Sequence, residues 1–413
     1  MPNRHRPEEY FLNTLNIGRP YIKRLHDQSR LCTGISWRGR SRTLWFEVDR
    51  EYESFLSAER VDAFLVALLP FAMLNGFNIC CAAPLSEKLR YQVSSVLIPS
   101  LSSNIAQFRS IQIDAPCDGT VYNSFHGVAT GLSCGVDSFY TALKCLNSGM
   151  KSFDLTHVTY FNIMNSTMWR DYGEDSSREF SKARIAAIRP AAEELGLKLV
   201  AIDSNLDILY HDYSLLATFT FRYLGTVLAL QKLFSKYYWS ASCTLSQFAF
   251  TFDDISYCDL LLIQCLSNEN TIFYSAGSEA SRMAKTAYIS NAEVTYKYLN
   301  VCWHNLRNCT DGCEKCKRTI LQLYALQKLD LYQAVFDLDK FYRNISQYLG
   351  FMLSMRHRND HHGYYDDIYK LMAKNGISIP DSAINHYRRL ELKFWMSYLK
   401  NKIGHFVDEY DLF

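Results

Sequence analysis

Residues 131–138 read Gly-Leu-Ser-Cys-Gly-Val-Asp-Ser and combine serine hydroxyls, glycines and a carboxylate in one stretch. A short apolar segment precedes them and an apolar helical pattern follows, which predicts a strand, a tight loop and a helix start. Backbone N–H groups at such a start bind anions, and Ser133 and Ser138 can donate to phosphate oxygens. Asp137 would repel bare phosphate, so its natural role is to hold a bridging Mg²⁺. The alternative is a serine-rich turn without a ligand.

A second group of chemically capable residues is a set of four cysteines within fifteen residues, namely Cys302, Cys309, Cys313 and Cys316. Their spacing, with a closing Cys-x-x-Cys pair after an Asp-Gly turn, fits a tetrahedral zinc ion. Thiolates select zinc or an iron–sulfur cluster over hard cations. Because four protein ligands leave no open position, the predicted metal is structural. Four unrelated reduced cysteines are the alternative.

The composition narrows the class of protein further. The chain has 413 residues, of which 48% are hydrophobic and 21% charged, and its formal net charge is +2. This is an ordinary globular composition without a global basic field. The N-terminus lacks an apolar signal region, and the longest apolar run, 63–74, is too short to span a bilayer. We therefore expect a cytoplasmic protein without a membrane partner, whose 13 cysteines are not a disulfide framework.

The elements that position these residues fall into four predicted segments. Residues 1–122 form an N-terminal α+β domain, and within it Arg38–Ser41 separates two β-rich runs as a hairpin turn. Residues 123–300 alternate strand and helix patterns, which predicts a parallel sheet covered by helices on both faces. Residues 301–320 hold the cysteines, and 321–413 are helical. The polar stretch 165–179 is expected to be a loop.

Ligands of parallel α/β sheets bind at the carboxyl ends of the strands. Three features are predicted to lie there: the loop 133–138, Asp203 after one strand and Cys243 after another. Asp203 can contact a ribose or a metal, and its alternative role is a turn or helix cap.

The loop resembles the pyrophosphate loop, Ser-Gly-Gly-x-Asp-Ser, of the N-type ATP pyrophosphatases, a superfamily that includes GMP synthetase, NAD synthetase and the QueC enzymes of 7-deazaguanine synthesis. Five residues match that motif: Ser133, Gly135, Val136 (the free position), Asp137 and Ser138. Cys134 replaces the first glycine, and it carries strain if that position has a positive φ angle. QueC enzymes also place a four-cysteine zinc site after the loop domain, in the order found here, although the intervals differ by a residue or two.

The resemblance, over roughly residues 125–320, implies an α/β fold with a parallel-sheet adenine nucleotide alpha hydrolase-like (PP-loop) domain. It implies ATP, Mg²⁺ and Zn²⁺ as cofactors. The nucleotide would be bound by Ser133, Cys134, Gly135, Val136, Asp137, Ser138 and Asp203. Asp137, Ser138 and Lys285 would be catalytic, the last because the family carries a lysine near the nucleotide phosphates in the corresponding region. For Arg282 and Lys285, a solvated helix face is the alternative.

In function, the resemblance implies an ATP-dependent, C–N bond-forming ligase that adenylates a small carboxylate and releases pyrophosphate and AMP. The substrate suggested by QueC is 7-carboxy-7-deazaguanine, with an amide or nitrile as product. The additional N- and C-terminal regions suggest a specialised relative that transfers the activated group to a protein or nucleic-acid acceptor in an anti-phage defence system. A homodimer is also compatible with these expectations.

Two other functions stay open at this point. One is a tRNA-modifying or sulfur-transferring member of the same superfamily, for which Cys134 and Cys243 are the candidate catalytic thiols. The other is a non-catalytic nucleotide-binding protein of the same fold, favoured by the replacement of the loop glycine. The segment 253–259 matches a further QueC stretch at Asp254, Ser256, Tyr257 and Asp259 but lacks its proline and arginine.

Overall fold

The computed structural model of the chain describes residues 13–163, 166–302, 305–310, 313–358 and 363–410. Its strands are β1 (Thr14–Ile17), β2 (Tyr21–Arg24), β3 (Gln28–Trp37), β4 (Arg40–Asp49), β5 (Asn78–Cys81), β6 (Leu85–Ser86), β7 (Ile113–Asp114), β8 (Cys117–Asp118), β9 (Gly127–Gly131), β10 (His157–Asn162), β11 (Lys198–Ser204), β12 (Phe234–Ser240) and β13 (Ile272–Ala276).

The α-helices of the described residues begin after β4, are interspersed with the later strands up to β13 and then continue without strands. They are α1 (Asp62–Asn75), α2 (Glu87–Gln92), α3 (Ile98–Asn104), α4 (Val136–Cys145), α5 (Ser166–Glu194), α6 (Asp207–Tyr210), α7 (Leu215–Leu228), α8 (Asp259–Leu266), α9 (Arg282–Ile289), α10 (Glu293–Tyr298), α11 (Glu314–Ala325), α12 (Leu338–Arg343), α13 (Ile345–Arg358), α14 (Tyr364–Lys374) and α15 (Asp381–Tyr410).

Within the described residues the strands form one eleven-stranded sheet and a separate β6–β8 pair. The order in the large sheet is β13-β12-β9-β10-β11-β4-β3-β1-β5-β7, with β2 paired to β3. All neighbours from β13 to β11 are parallel, and β1, β5 and β7 are also parallel. Antiparallel pairings of β4 and β3 join these two parallel parts. The predicted α/β class with a mostly parallel sheet is therefore confirmed.

The direction of winding reverses beside β9. The chain passes from β9 to β10 and β11 on one side, and then places β12 and β13 on the other side of β9. Such a reversal separates the loops that follow the two neighbouring strands and opens a crevice at their carboxyl ends. The loops after β9 and β12 flank this crevice, and the first of them is the loop 133–138.

The sheet continues across residue 122, where the sequence predicts a domain boundary. Glu47 and Phe46 of β4 pair with Asp203 and Ser204 of β11, so the N-terminal strands and the parallel strands share one ladder. The boundaries at residues 122, 300 and 320 stay predictions. The predicted hairpin is present: Arg38 and Gly39 both have positive φ angles, as a two-residue turn between twisted strands requires.

One predicted loop is wrong. The stretch expected to be irregular, 165–179, lies largely within α5, which is interrupted only where Gly173 adopts a φ angle of 86°. Polar residues without a strict apolar period form either a loop or a solvent-facing helix, and their polarity does not distinguish the two.

The apolar core lies between the sheet and its helices. Helix α1 is buried along nearly its whole length and is apolar around its entire circumference, which is typical of an internal helix. None of the helices in the described part of the chain has both the length and the apolarity needed to cross a membrane.

The chain divides into two compact units. The first comprises residues 1–133 and 137–281 and contains the sheet. The second comprises residues 134–136 and 282–413, and its described part is helical apart from the cysteine segment. In this second unit α13 packs along α15, where Ser354 donates to Glu391 at 3.2 Å.

Candidate functional site

The loop 133–138 has the predicted context of strand, loop and helix. Strand β9 ends at Gly131, and helix α4 begins at Val136. The Ser133 amide donates to Ser138 Oγ at 3.3 Å, and the two serine hydroxyls lie 3.2 Å apart. Ser133 is exposed, Ser138 is buried and Asp137 is half-buried in the first turn of the helix. The two hydroxyls therefore lie together at one helix N-terminus, and Asp137 lies in the first turn of the same helix.

Cys134 occupies the position of the first motif glycine and adopts a φ angle of 59°. For a residue with a side chain this left-handed conformation costs about 1–2 kcal/mol. The Cys134 carbonyl accepts a hydrogen bond from the Asn300 amide at 2.8 Å, and the Cys134 side chain is buried. Residues 134–136 and Asn300 belong to the same compact unit, so this hydrogen bond holds the backbone of Cys134 within that unit. Cys134 therefore keeps a glycine-like backbone at the cost of local strain.

Gly131 permits close packing beneath the loop. A Cβ atom at this position would lie 2.2 Å from the Tyr223 hydroxyl and 3.5 Å from the Tyr237 hydroxyl. Tyr237 donates to Tyr223 at 3.0 Å and lies 2.6 Å from Thr159 Oγ1. These groups come from α7, β12 and β10, so the end of β9 rests on a buried hydroxyl network that requires glycine.

Asp203 lies at the carboxyl end of β11, as predicted, but two strands away from β9. With about 4.8 Å between neighbouring strands, it is roughly 10 Å from the end of β9 across the sheet. Asn162 Nδ2 donates to Asp203 Oδ1 at 2.8 Å, and Arg178 Nε lies 2.6 Å from Asp203 Oδ2. Burial raises the pKa of Asp203, although Asn162 and Arg178 oppose that rise. The assignment of Asp203 to nucleotide binding stays a prediction.

The Arg178 guanidinium also connects Asp203 to the N-terminal strands. It lies 2.6 Å from Glu47, which is buried and forms a second ion pair with Arg30 at 2.6 Å. The Arg30 guanidinium stacks 3.9 Å above the Trp45 ring. Sequence reasoning missed this network, because its members come from β3, β4, α5 and β11 and share no motif.

A second missed cluster joins α4 to the loop after β13. Glu279 accepts hydrogen bonds from the Tyr140 hydroxyl at 2.7 Å, from Lys144 and from the Gly277 amide at 3.1 Å. Burial alone would raise the pKa of Glu279, but the hydrogen bonds from Lys144 and Tyr140 outweigh it and lower the pKa to about 2. Glu279 is thus an anchored anion at the carboxyl edge of the sheet.

Two aspartates of the segment 254–259, which partially matches a QueC stretch, have different surroundings. Asp254 accepts from the Ser256 amide at 3.0 Å and caps a short 3₁₀ turn. Asp259 is buried, and it accepts from Trp239 Nε1 at 2.5 Å and from Thr220 Oγ1 at 2.9 Å. Burial raises the pKa of Asp259 to about 8.

Cys243 follows β12 at the predicted edge of the sheet. The thiol is buried and lies 3.7 Å from Ser256 Oγ, and burial raises its pKa.

Lys285 lies on α9 in the second unit and is buried, with 1% of its surface exposed, so the alternative of a solvated helix face is wrong for this residue. Its catalytic role stays a prediction.

The four cysteines converge. The sulfur atoms of Cys302, Cys309, Cys313 and Cys316 all lie within 4.8 Å of one another. Cys302 Sγ is 3.4 Å from Cys309 Sγ, which in turn is 3.7 Å from Cys316 Sγ. A tetrahedral zinc ion with Zn–S bonds of about 2.3 Å requires S···S separations of about 3.8 Å. The cluster can therefore bind a metal such as zinc.

Hydrogen bonds between the Asn308 side chain and the surrounding backbone hold the segment that carries the cysteines. Asn308 Oδ1 accepts from the Val301 amide at 2.8 Å, while Asn308 Nδ2 donates to the carbonyls of Leu299 and Val335. Cys313 precedes α11 and Cys316 lies in its first turn. Amide groups at a helix start favour negative charge, which suits thiolate ligands.

The fold and these sites describe an α/β protein with a mostly parallel sheet and a four-cysteine cluster that can bind a metal. No protein-family model, curated protein or solved structure matches this chain.

Proposed function

We infer that the protein is an ATP-dependent ligase resembling the QueC enzymes of the N-type ATP pyrophosphatase superfamily. The observation that carries this proposal is the position of the loop 133–138. It follows β9 at the point where the winding of the sheet reverses, and it holds two serine hydroxyls 3.2 Å apart beside the start of α4. Crevices of this kind bind nucleotides in other parallel sheets. The glycine-like φ angle of Cys134 supports the same loop conformation.

In the proposed reaction, a carboxylate oxygen of the substrate attacks the α-phosphorus of ATP. The bond from that phosphorus to the bridging oxygen breaks, and pyrophosphate leaves with the electron pair. An amine then attacks the acyl carbon, AMP leaves, and the nitrogen loses a proton. Ser133, Ser138 and the amides at the start of α4 would bind the pyrophosphate oxygens.

Asp137 is the residue that would hold Mg²⁺, which neutralises phosphate charge when it is bound. Asp137 is half-buried in the first turn of α4 and directly precedes Ser138 in the chain. Lys285 would add positive charge where pyrophosphate leaves. For the cysteine cluster we propose zinc in a structural role, since four sulfur ligands leave no position for a substrate.

The alternative functions find less support. A sulfur-transferring enzyme needs a reactive thiolate, whereas burial raises the pKa of Cys243 and favours its neutral thiol. A binding-only protein was suggested by the loss of the loop glycine, yet Cys134 adopts the φ angle that a glycine would take. The conjugation of the activated group to a macromolecular acceptor in anti-phage defence is a further part of the proposal.

The test is ATP–pyrophosphate exchange by the purified, zinc-loaded protein with a panel of carboxylates that includes 7-carboxy-7-deazaguanine. We expect exchange with one carboxylate, and a loss of at least about 100-fold in Asp137→Ala, as for other groups that stabilise charge in the transition state. Asp175→Ala, an exposed aspartate on α5, is the matched control and should exchange at the wild-type rate.

Exchange that persists in Asp137→Ala would refute the role of the loop. If no carboxylate supports exchange although ATP binds, the binding-only alternative would replace the ligase.

A further inference from the structure

Asn300 connects the four-cysteine cluster to the segment 134–136 of the loop 133–138. These residues belong to one compact unit, which comprises residues 134–136 and 282–413. Asn300 follows the end of α10 and precedes the first cysteine of the cluster, Cys302, by two positions. The unit therefore contains both the sulfur ligands and the part of the loop that carries backbone strain.

The backbone of Asn300 holds the loop. Its amide donates to the Cys134 carbonyl at 2.8 Å. Cys134 has a φ angle of 59°, and a residue with a side chain keeps such a conformation only where its surroundings enforce it. Because a peptide unit is planar, the same hydrogen bond also sets the direction of the Gly135 N–H group. Gly135 directly precedes α4, so this N–H is one of the amides at the helix start.

The side chain of Asn300 is bonded to the cysteine segment. Its Oδ1 accepts from the Cys302 amide at 3.2 Å, and its Nδ2 donates to the Leu306 carbonyl at 2.5 Å. Leu306 lies in the chain between Cys302 and Cys309, which are the first two cysteines of the cluster. The two hydrogen bonds therefore attach Asn300 to the part of the chain that these cysteines enclose.

A bound metal would keep this part of the chain closed. Cys302 Sγ and Cys309 Sγ lie 3.4 Å apart, and two sulfur ligands of one ion cannot separate while the ion is bound. Asn308 closes the same segment from within, since its Oδ1 accepts from the Val301 amide at 2.8 Å. Without the ion, hydrogen bonds alone hold residues 300–309, and local opening of this segment costs less free energy.

The contacts of Asn300 differ from those of an asparagine that only closes its own turn. Asn291 is such a residue, because its Nδ2 donates to the Ala287 carbonyl at 3.1 Å, one turn earlier in the same helix end. Asn300 instead bonds in two directions, with its amide to Cys134, far away in the sequence, and with its side chain to the cysteine segment. It is therefore placed to pass a change in one segment on to the other.

We propose that Asn300 is a positioning residue through which a metal held by the cysteine cluster stabilises the backbone of residues 134–136. The metal then supports the loop as well as the helical unit, although its four sulfur ligands leave no position for a substrate. As a consequence, the affinity of the loop for phosphate groups depends on the metal. Only this consequence rests on the proposed function, because the effect on the loop backbone requires neither ATP nor adenylation.

The first test is hydrogen–deuterium exchange of the zinc-loaded full chain, measured by mass spectrometry on a peptide that contains residues 134–136. Asn300→Ala keeps all four thiols and should retain about one zinc ion per chain. Its amides at 134–136 should exchange about fivefold faster than in the wild type, the effect of one lost hydrogen bond. Removal of zinc from the wild type with a chelator should accelerate the same amides at least as much. Asn291→Ala, at an exposed position of the same unit, is the matched control and should exchange as the wild type does.

A conservative variant distinguishes the connection from a general loss of packing. Asn300→Asp keeps an oxygen that accepts from the Cys302 amide but has no donor for the Leu306 carbonyl. Exchange at 134–136 should therefore lie between the wild type and Asn300→Ala. Calorimetry with pyrophosphate and Mg²⁺ on the zinc-loaded chains measures the consequence for binding. The affinity should fall about fivefold in Asn300→Ala and stay unchanged in Asn291→Ala.

Wild-type exchange at 134–136 in zinc-loaded Asn300→Ala would overturn the proposal. So would an equal acceleration throughout helices α11–α15, exchange in Asn300→Asp as fast as in Asn300→Ala, or a pyrophosphate affinity that Asn300→Ala leaves unchanged. Loss of zinc from Asn300→Ala would also overturn it, since the residue would then support the cluster and not connect it to the loop. If the exchange rates change as expected but the wild type binds no pyrophosphate, the positioning role stands and the proposed function of the loop fails.

Discussion

The cysteine cluster and the loop 133–138 are both short sequence motifs, but they depend on the fold in different ways. The cluster draws its four sulfur atoms from 302–316, and they converge within 4.8 Å. The loop places two serines and an aspartate at a helix start, yet the end of the strand before it rests on hydroxyl groups from β10, β12 and α7, which are distant in sequence. A metal site can draw all its ligands from one short segment, whereas the crevice beside the loop 133–138 exists only when the strands of the sheet are paired.

The largest expected effect comes from the cysteines. Cys313→Ala/Cys316→Ala should reduce bound zinc from about one ion per chain to almost none, because two thiolates do not hold the ion. Since structural zinc contributes about 10–16 kcal/mol of apparent binding free energy at pH 7, the helical unit should unfold at lower temperature. Elemental analysis and thermal unfolding measure both effects.

Cys145→Ala/Cys265→Ala is the control, since it removes two buried thiols outside the cluster. It should keep the full zinc content. Equal zinc in both double variants would show that the cluster is not the metal site.

The buried carboxyl of Asp259 tests how strongly burial in the sheet unit shifts a pKa and, through it, the stability of the fold. Its pKa of about 8 lies above the ordinary value of 3.8, so the folded state binds an extra proton between these values. The free energy of unfolding should therefore fall as pH rises towards 8, by at most about 1.4 kcal/mol per pH unit. Asp259→Asn cannot ionise and should flatten this dependence between pH 5.5 and 8.5. Urea denaturation at several pH values measures it.

Asp253→Asn makes the same substitution at an exposed position just before the turn 255–258. It should leave the slope as in the wild type. If Asp259→Asn also keeps the wild-type slope, burial of this carboxyl does not control the pH dependence.

Gly131 tests the support under the loop. Gly131→Ala forces a Cβ atom against the Tyr223 hydroxyl, and overpacking of this kind costs about 1–3 kcal/mol. Gly34→Ala is matched in chemistry but meets no atom within 4 Å, so it should leave the free energy of unfolding unchanged or raise it by up to about 1 kcal/mol, because alanine reduces the backbone entropy of the unfolded chain. Chemical denaturation measures the free energy of unfolding of both variants. An equal loss of stability in Gly131→Ala and Gly34→Ala would show that the close packing at Gly131 does not matter.

The smallest effect concerns strain at Cys134. Cys134→Gly and Cys134→Ala both remove the thiol, but alanine keeps a Cβ atom at a φ angle of 59°. After allowance for the greater backbone entropy of glycine in the unfolded chain, the glycine variant should be more stable by about 0.5–1 kcal/mol. An alanine variant as stable as the glycine variant would indicate that the loop carries no strain.

Sequence reasoning predicted some features because they depend on neighbours in the chain. The context of strand, loop and helix around 133–138, the β3–β4 hairpin and the alternation of strands with helices were predicted and are present. It failed at 165–179, where a polar helix has the composition of a loop. It did not find the Glu47, Arg178 and Asp203 network, since no spacing connects residues from β4, α5 and β11.

The sequence by itself determined which groups are available: four thiols at metal-binding spacing, and two serines with an aspartate at a helix start. These follow from local chain geometry, which acts over a few residues. The tertiary structure decided what surrounds them. Strand pairing from β4 to β11 joined the N-terminal strands to the parallel sheet, and burial set the protonation of Asp259. Pairing and burial depend on residues far apart in the chain, so no short pattern encodes them.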